Sequence, residues 1–183
     1  METIAIYREA IIKTYGFMER SGLGLVTVDL PSNRMEDWGT GLMDQISRWG
    51  VSLVLLMARP SSGGKSHLIL LLDKVPPEHL VKDTQQVFFN EYHPLWRVYP
   101  AVDLVYFQGP HYGDRYGIAG AALNALSGRG VPVLGVSCTG ASVYLITPQG
   151  KAGAAREALN LAFTDPIAGN GTLKNEFTPP KRY

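Results

Sequence analysis

Cysteine is almost missing from this chain. Cys138 is the only one, which excludes an internal disulfide and any zinc site built on a cysteine cluster. A surplus of one charge is missing too: 17 Lys and Arg against 16 Asp and Glu give a net charge of +1. Apart from Lys181-Arg182 the basic residues are scattered, so the chain offers no electrostatic footprint for nucleic acid or for an anionic membrane surface. Long apolar runs are absent. Val51–Ala58 and Leu68–Leu72 fall far short of the ~20 residues a membrane-spanning helix requires. Met1–Ala10 lacks the basic start and apolar core of a signal peptide, and a cytoplasmic location is the expectation. The histidines, His67, His79, His93 and His111, share no metal-ligand spacing. No metal and no cofactor is expected.

What the chain has is a repeat. At 183 residues, 45% hydrophobic and 18% charged, it can fill the core of one medium domain or two small ones. Pro31–Leu56 and His111–Val136 share a pattern at an offset of 80 residues without a gap. Trp38, Leu42 and Ile46 fall on Ile118, Ala122 and Leu126, and Gly50-Val51 falls on Gly130-Val131. Repetition on this scale points to a duplicated module, and a duplicated module favours a binding or regulatory protein over a single catalytic domain.

The elements follow from periodicity. Ile4–Tyr7 and Ala10–Phe17 read as short strands, Ser21-Gly22 as a break, and Leu23–Leu30 as a strand. Pro31–Asp37 is polar loop. Trp38, Leu42, Ile46 and Trp49 step by four, four and three along one helical face, and Gly50 supplies the stop. Val51–Ala58 reads as a strand buried on both faces or beneath a partner. A Gly/Ser hairpin at Pro60–Ser66, a strand at His67–Leu72 and a helix at Glu78–Asn90 behind Pro76-Pro77 complete the first copy. A strand near Trp96–Tyr99 leads to the second copy: a strand at Val102–Gln108, a loop at Gly109–Arg115, a helix at Tyr116–Ser127, strands at Val131–Val136 and Ser142–Thr147, and a helix at Lys151–Phe163. The expected fold class is α+β, with two ferredoxin-like βαββαβ modules in tandem, each an antiparallel sheet with its helices on one face. The expected divisions are N-terminal strands over 1–22 that can complete the second module, modules over 23–100 and 101–168, and a tail over 169–183.

Three motifs carry possible chemistry. Ser61–Ser66 ends like a phosphate-binding loop, but Arg59 stands where the motif needs glycine and a strand follows where it needs a helix; it reads as a hairpin. Ser137-Cys138-Thr139-Gly140 lacks the second glycine and the helix of a nucleophile elbow, and a lone cysteine in an apolar strand is usually a small buried hydrophobe. Gly109–Gly117 gathers three glycines, two tyrosines, His111, Asp114 and Arg115 at a strand-to-helix turn, where function concentrates.

The second copy carries a more specific pattern. Tyr116-Gly117-Ile118-Ala119 opens a helix, Gly130-Val131 opens a strand, Val136-Ser137-Cys138-Thr139 follows, and Ala158-Leu159-Asn160-Leu161-Ala162-Phe163 ends the last helix. This order and spacing resembles the tandem ACT-domain regulatory region of aspartokinases, over about Leu23–Phe163. No stretch resembles an amino-acid kinase domain. The resemblance implies a non-catalytic protein that binds a small metabolite, an amino acid above all, where modules meet, that pairs as a homodimer through its module sheets, and that signals to an enzyme partner. It places ligand groups at Gly109, His111, Asp114, Arg115, Gly117, Ser137 and Thr139, with Ser32, Asn33, Asp37 and Gly39 as the first-copy equivalents. The chain departs from the family at Gly140, Asn160 and Asp37-Trp38. Val51–Ala58 and Val131–Val136 are the expected interface strands. A ligand-free assembly subunit and an enzyme using His111, Asp114 and Arg115 are the alternatives.

Overall fold

The computed structural model describes residues 12–92 and 95–163. The expected strand at Ile4–Tyr7 and the tail at 169–183 lie outside them. The described chain is a mixed α/β structure with antiparallel strand pairs and four α-helices, in the order β1 (Phe17–Pro31), α1 (Met35–Arg48), β2 (Leu53–Ser61), β3 (Lys65–Leu72), α2 (Glu78–Tyr92), β4 (Leu95–Gln108), α3 (Ile118–Gly128), β5 (Gly135–Cys138), β6 (Ser142–Pro148) and α4 (Ala152–Ala162). Short 3-10 turns at Ser32–Arg34 and Tyr112–Asp114 precede α1 and α3. The described chain divides into two compact units, one within residues 21–102 and one joining residues 12–20 with 103–163.

In the unit of residues 21–102 the strand order is β2-β3-β1-β4. β3 pairs antiparallel with both neighbours, Val28 opposite Leu68 and Ala58 opposite Leu68 on the other side. Val26, Val28 and Leu30 of β1 and Leu68, Leu70 and Leu72 of β3 share one cluster with Trp38, Leu42, Ile46 and Trp49 of α1 and Val81 of α2. Alternate strand residues point to one side, so both helices cover the same side. The α1 stripe is the one the spacing predicts, and all four of its residues are buried. The three tryptophans meet: the Trp96 ring lies 6.4 Å from Trp38 and 6.4 Å from Trp49. Trp49 Nε1 donates to the buried Thr84 hydroxyl at 3.0 Å, which ties α1 to α2.

In the other unit β1, β4, β6 and β5 lie in that order, with Val136 of β5 opposite Leu145 of β6. Val105 and Phe107, Val143 and Leu145, Ile118, Ala122 and Leu126 of α3, and Ala155, Ala158 and Leu159 of α4 form its core. The Phe17, Phe107 and Phe163 rings converge, with centroids 5.0–6.2 Å apart. Asp103 is buried, and its Oδ2 accepts from the N–H groups of Gly150, Lys151 and Ala152 at 2.7, 3.1 and 3.3 Å. A carboxylate thereby satisfies the orphan donors at the start of α4.

Several expectations are corrected. Ser21-Gly22 does not break a strand; Gly22 takes φ 74 and β1 runs through it. Residues 12–16 are not strand apart from a bridge at Lys13. α1 begins at Met35 rather than Trp38, which shortens the polar loop to Ser32–Arg34. Trp96–Tyr99 and Val102–Gln108 are one strand, β4, with Pro100 inside it. β5 starts at Gly135 rather than Val131: Pro132 has no N–H for a ladder, and Val131 turns into the core instead. β2 is not buried on both faces. It has one strand neighbour in its unit, and Leu53 and Leu56 are 36% and 45% exposed.

Candidate functional site

In each unit, the loop after the first strand rests on a β-hairpin tip. In the unit containing residues 103–163, β4 ends at Gln108 and the chain turns at Gly109. A Cβ there would stand 2.2 Å from Tyr112 Cε1 and 2.3 Å from the Lys13 carbonyl oxygen, so only glycine fits. His111 follows with φ 61, the single positive-φ non-glycine among the described residues; its side chain is exposed. Tyr112 is buried and packs edge-on against Phe107 at 6.0 Å and 83°. Its hydroxyl is buried without a hydrogen-bond partner among the described residues. Burial pushes this phenol well above its ordinary titration range, and the nearby Arg115 charge opposes that only in part. Gly113 lies against the carbonyl of Gly140 in the β5–β6 tip. Asp114 closes the 3-10 turn and Arg115 follows it, half-buried. Gly117, at φ 87, is the N-cap of α3 and leaves that helix start without a side-chain cap.

Ser137 and Thr139 come to this unit from β5 and its hairpin. Ser137 is opposite Tyr144, whose ring stacks on Tyr106 at 5.7 Å and 15°. Thr139 serves the turn: its N–H donates to the Ser142 carbonyl at 2.8 Å, and its hydroxyl accepts from the Ser142 N–H at 3.2 Å. Cys138 is exposed at the end of β5 rather than a buried hydrophobe; the partial desolvation of its thiol still raises it above the usual range, the opposite of what a nucleophilic cysteine needs.

In the other unit Ser32 opens the 3-10 turn. Its N–H donates to the Gly64 carbonyl at 2.9 Å, and its hydroxyl lies 2.9 Å from that of Ser66. Asn33 is exposed beside it. Asp37 belongs to α1 rather than to the loop, and Gly39, also in α1, faces open space. Sequence reasoning treated Ser61–Ser66 as a free hairpin; its contact with Ser32 is a structural fact that no local motif signals. It also missed residues 13–15. The Lys13 carbonyl walls Gly109, Thr14 is wholly buried, and the Tyr15 N–H donates to the Gln108 carbonyl at 2.8 Å.

The arrangement is one of loops, glycines and hydroxyl groups, with His111, Asp114 and Arg115 in the loop before α3. Among the described residues no group of three His, Cys, Asp or Glu side chains could hold a metal ion, and no helix is long and apolar enough to cross a membrane.

No protein-family model and no curated protein matches the sequence. Solved structures do. The ligand-free regulatory subunit of aspartate kinase from Thermus thermophilus is similar with a TM-score of 0.67 at 12% identity, covering 82% of this chain and 98% of that one. Aspartate kinase from Synechocystis is similar with a TM-score of 0.68 at 15% identity, covering 93% of this chain and 29% of that one. Aspartate kinase from Clostridium acetobutylicum gives 0.65 at 14% identity, over 86% of this chain and 36% of that one. The chain thus has the fold of an aspartate-kinase regulatory region. The described residues span nearly the whole of a regulatory subunit and carry no kinase domain.

Proposed function

We propose that the chain is a non-catalytic regulatory protein of two ferredoxin-like ACT modules in tandem, which binds a small metabolite, in first place an amino acid, and signals its occupancy to a partner enzyme. The observation that carries this reading is the repeated placement of a strand-end loop on a hairpin tip, Gly113 against Gly140 and Ser32 against Gly64, within a fold shared with a separate regulatory subunit. The strand order β2-β3-β1-β4 supports the ferredoxin-like assignment. The grouping of the N-terminal stretch with residues 103–163 supports its completing the second module. Modules over 23–100 and 101–168 remain the proposed divisions.

The proposed ligand groups are Gly109, His111, Asp114, Arg115, Gly117 and Ser137, with Thr139 shaping the turn, and Ser32, Asn33, Asp37 and Gly39 in the first copy. The uncapped start of α3 suits a carboxylate. Ligand would act by population shift, favouring the arrangement it binds more tightly. The upward shift of Cys138 runs against a thiolate nucleophile in the β5–β6 hairpin.

Thermal unfolding against the twenty amino acids tests this. A ligand at about 100 times its dissociation constant adds about 2.7 kcal/mol, a rise of several degrees. No responder across the panel would sink the ligand-binding reading and leave the assembly alternative. A specific observation favours assembly as a second property: Leu53–Ala58 is an uncharged apolar strand at the margin of its unit's strand order, with Leu53 and Leu56 exposed, and such edges associate unless protected. Homodimerisation through β2 is the proposal. Leu56→Lys should convert dimer to monomer in sedimentation velocity; a wild type that sediments as a monomer would refute it.

A further inference from the structure

One feature of the unit of residues 21–102 lies outside every loop assigned above. Where α2 begins beside β4 there is a cavity of about 360 Å³, within the size range of small-molecule sites. Its apolar lining is Val75, Pro76, Val81 and Val98. Pro76 and Val81 are buried and form the floor, whereas Val75 and Val98, also in the lining, are 40% and 41% exposed. Apolar surface gathered in a concavity gains more from a ligand than the same surface on a convex face, because the ligand removes water from several side chains at once. The site is also preformed: a helix, a strand and the fixed φ of Pro76 and Pro100 build its walls, so little ordering is required on binding.

The rim is polar and carries both signs. Glu78 and Lys82, one helical turn apart, pair at 2.7 Å. They are 83% and 64% exposed, so their mutual attraction is weak and either can change partner at little cost. The hydrogen bond and charge of the Lys82 ammonium hold the Glu78 carboxyl below its usual range. A rigid apolar floor beneath an adjacent carboxylate and ammonium matches a molecule with an aliphatic body and a zwitterionic head.

We propose that this cavity is a second ligand site, for an α-amino acid with an aliphatic side chain, whose body contacts Val75, Val81 and Val98 while its ammonium meets Glu78 and its carboxylate meets Lys82. None of these residues belongs to the loops proposed above, so the two assignments stand or fall separately.

The test uses the full chain with labelled valine methyl groups and three probes: L-leucine, 4-methylpentanoate (which lacks the ammonium) and L-leucinamide (which lacks the carboxylate). L-leucine should shift the methyls of Val75, Val81 and Val98, and each truncated probe should bind about fivefold more weakly, the effect of one exposed ion pair. Glu78→Gln should abolish the preference for leucine over 4-methylpentanoate, and Lys82→Gln the preference over leucinamide. Both positions are exposed, so the variants will fold. Valine methyls that leucine does not move overturn the site, and equal binding of all three probes overturns the head-group assignment. In the same chain labelled with nitrogen-15, leucine shifts confined to the backbone amides of residues 109–117 overturn this inference while leaving the proposed function intact.

Discussion

On the side of β1, β3 and β2 away from the helices, Asp29, His67 and Arg59 lie in one cross-strand row, with His67 Nδ1 2.5 Å from the Asp29 carboxylate. The corresponding row in the other unit holds the stacked Tyr106 and Tyr144, with Ser137 beside them. The same backbone position thus carries a charged, hydrogen-bonded row in one unit and an aromatic row in the other. The helix starts differ in the same way. Counted back from Leu30 and Phe107 at the strand ends, Val26 of β1 falls where β4 has Asp103. Asp103 caps three N–H groups of α4, while α2 follows Pro76-Pro77, which carry no N–H to satisfy. The two units share the strand-end register and differ in the side chains placed on it. Ligand chemistry argued for one loop therefore does not transfer to the other.

The contrast between the units is sharpest at glycine. Gly109→Ala puts a methyl group within 2.4 Å of the Tyr112 ring and the Lys13 carbonyl, and backbone on one side cannot retreat. A loss of about 3 kcal/mol is expected, as for an overpacked core position. Gly39→Ala, at the other copy's proposed site, meets nothing within 4 Å and lies inside α1. There alanine should stabilise by about 0.5–1 kcal/mol through helix propensity. Chemical denaturation of both variants checks the pair. A Gly109→Ala protein as stable as wild type would show that the Lys13 segment does not seal this loop.

Next in size is the carboxylate at α4. Asp103→Ala leaves the N–H groups of Gly150, Lys151 and Ala152 without their shared acceptor in a buried place, and about 2–4 kcal/mol should be lost. The equivalent helix start at α2 has no such dependence, so amide hydrogen exchange should accelerate at the start of α4 and not at Val81 of α2. Uniform acceleration across both units would break the comparison, because it would mean that Asp103 supports the whole chain rather than one helix.

The sequence made the periodic parts of this fold legible. Trp38, Leu42, Ile46 and Trp49 announce α1 by spacing alone, and the matching set in α3 is buried as its alignment implies. What it could not announce is contact between distant segments. Nothing near Gly109 reveals that Lys13 passes beside it, and nothing in Ser61–Ser66 reveals a bond to Ser32, because those partners are set by the strand order. Strand continuity was misread for a related reason. Gly22 and Pro100 are breakers by local rule, yet β1 and β4 run through them, since a glycine at positive φ keeps its N–H and a proline removes only one donor from a long strand. At the candidate site, residue types were readable, but Asp37 moved from loop to helix once α1 began a turn early.

The smallest effect compares Tyr112 with Ser32, which occupy the same place in the 80-residue repeat. The Ser32 hydroxyl is 2.9 Å from Ser66, so Ser32→Ala should lose about 0.5–1 kcal/mol. The Tyr112 hydroxyl is buried with no partner among the described residues. Tyr112→Phe keeps the ring against Phe107 and removes an unsatisfied group, so stability should stay level or rise by up to about 1 kcal/mol. Alkaline titration separates this from a silent substitution. Burial raises the Tyr112 phenol in the folded state, while in the unfolded chain it ionises near its ordinary value of about 10. Below that pH both states hold the proton and the group adds no slope. Above it the unfolded chain releases the proton and the folded one retains it, so stability falls as pH rises. Part of that alkaline loss should vanish in Tyr112→Phe and persist in Ser32→Ala. Identical alkaline slopes for Tyr112→Phe and wild type would mean that the phenol reaches solvent, and the loop of residues 109–117 would then be open rather than packed.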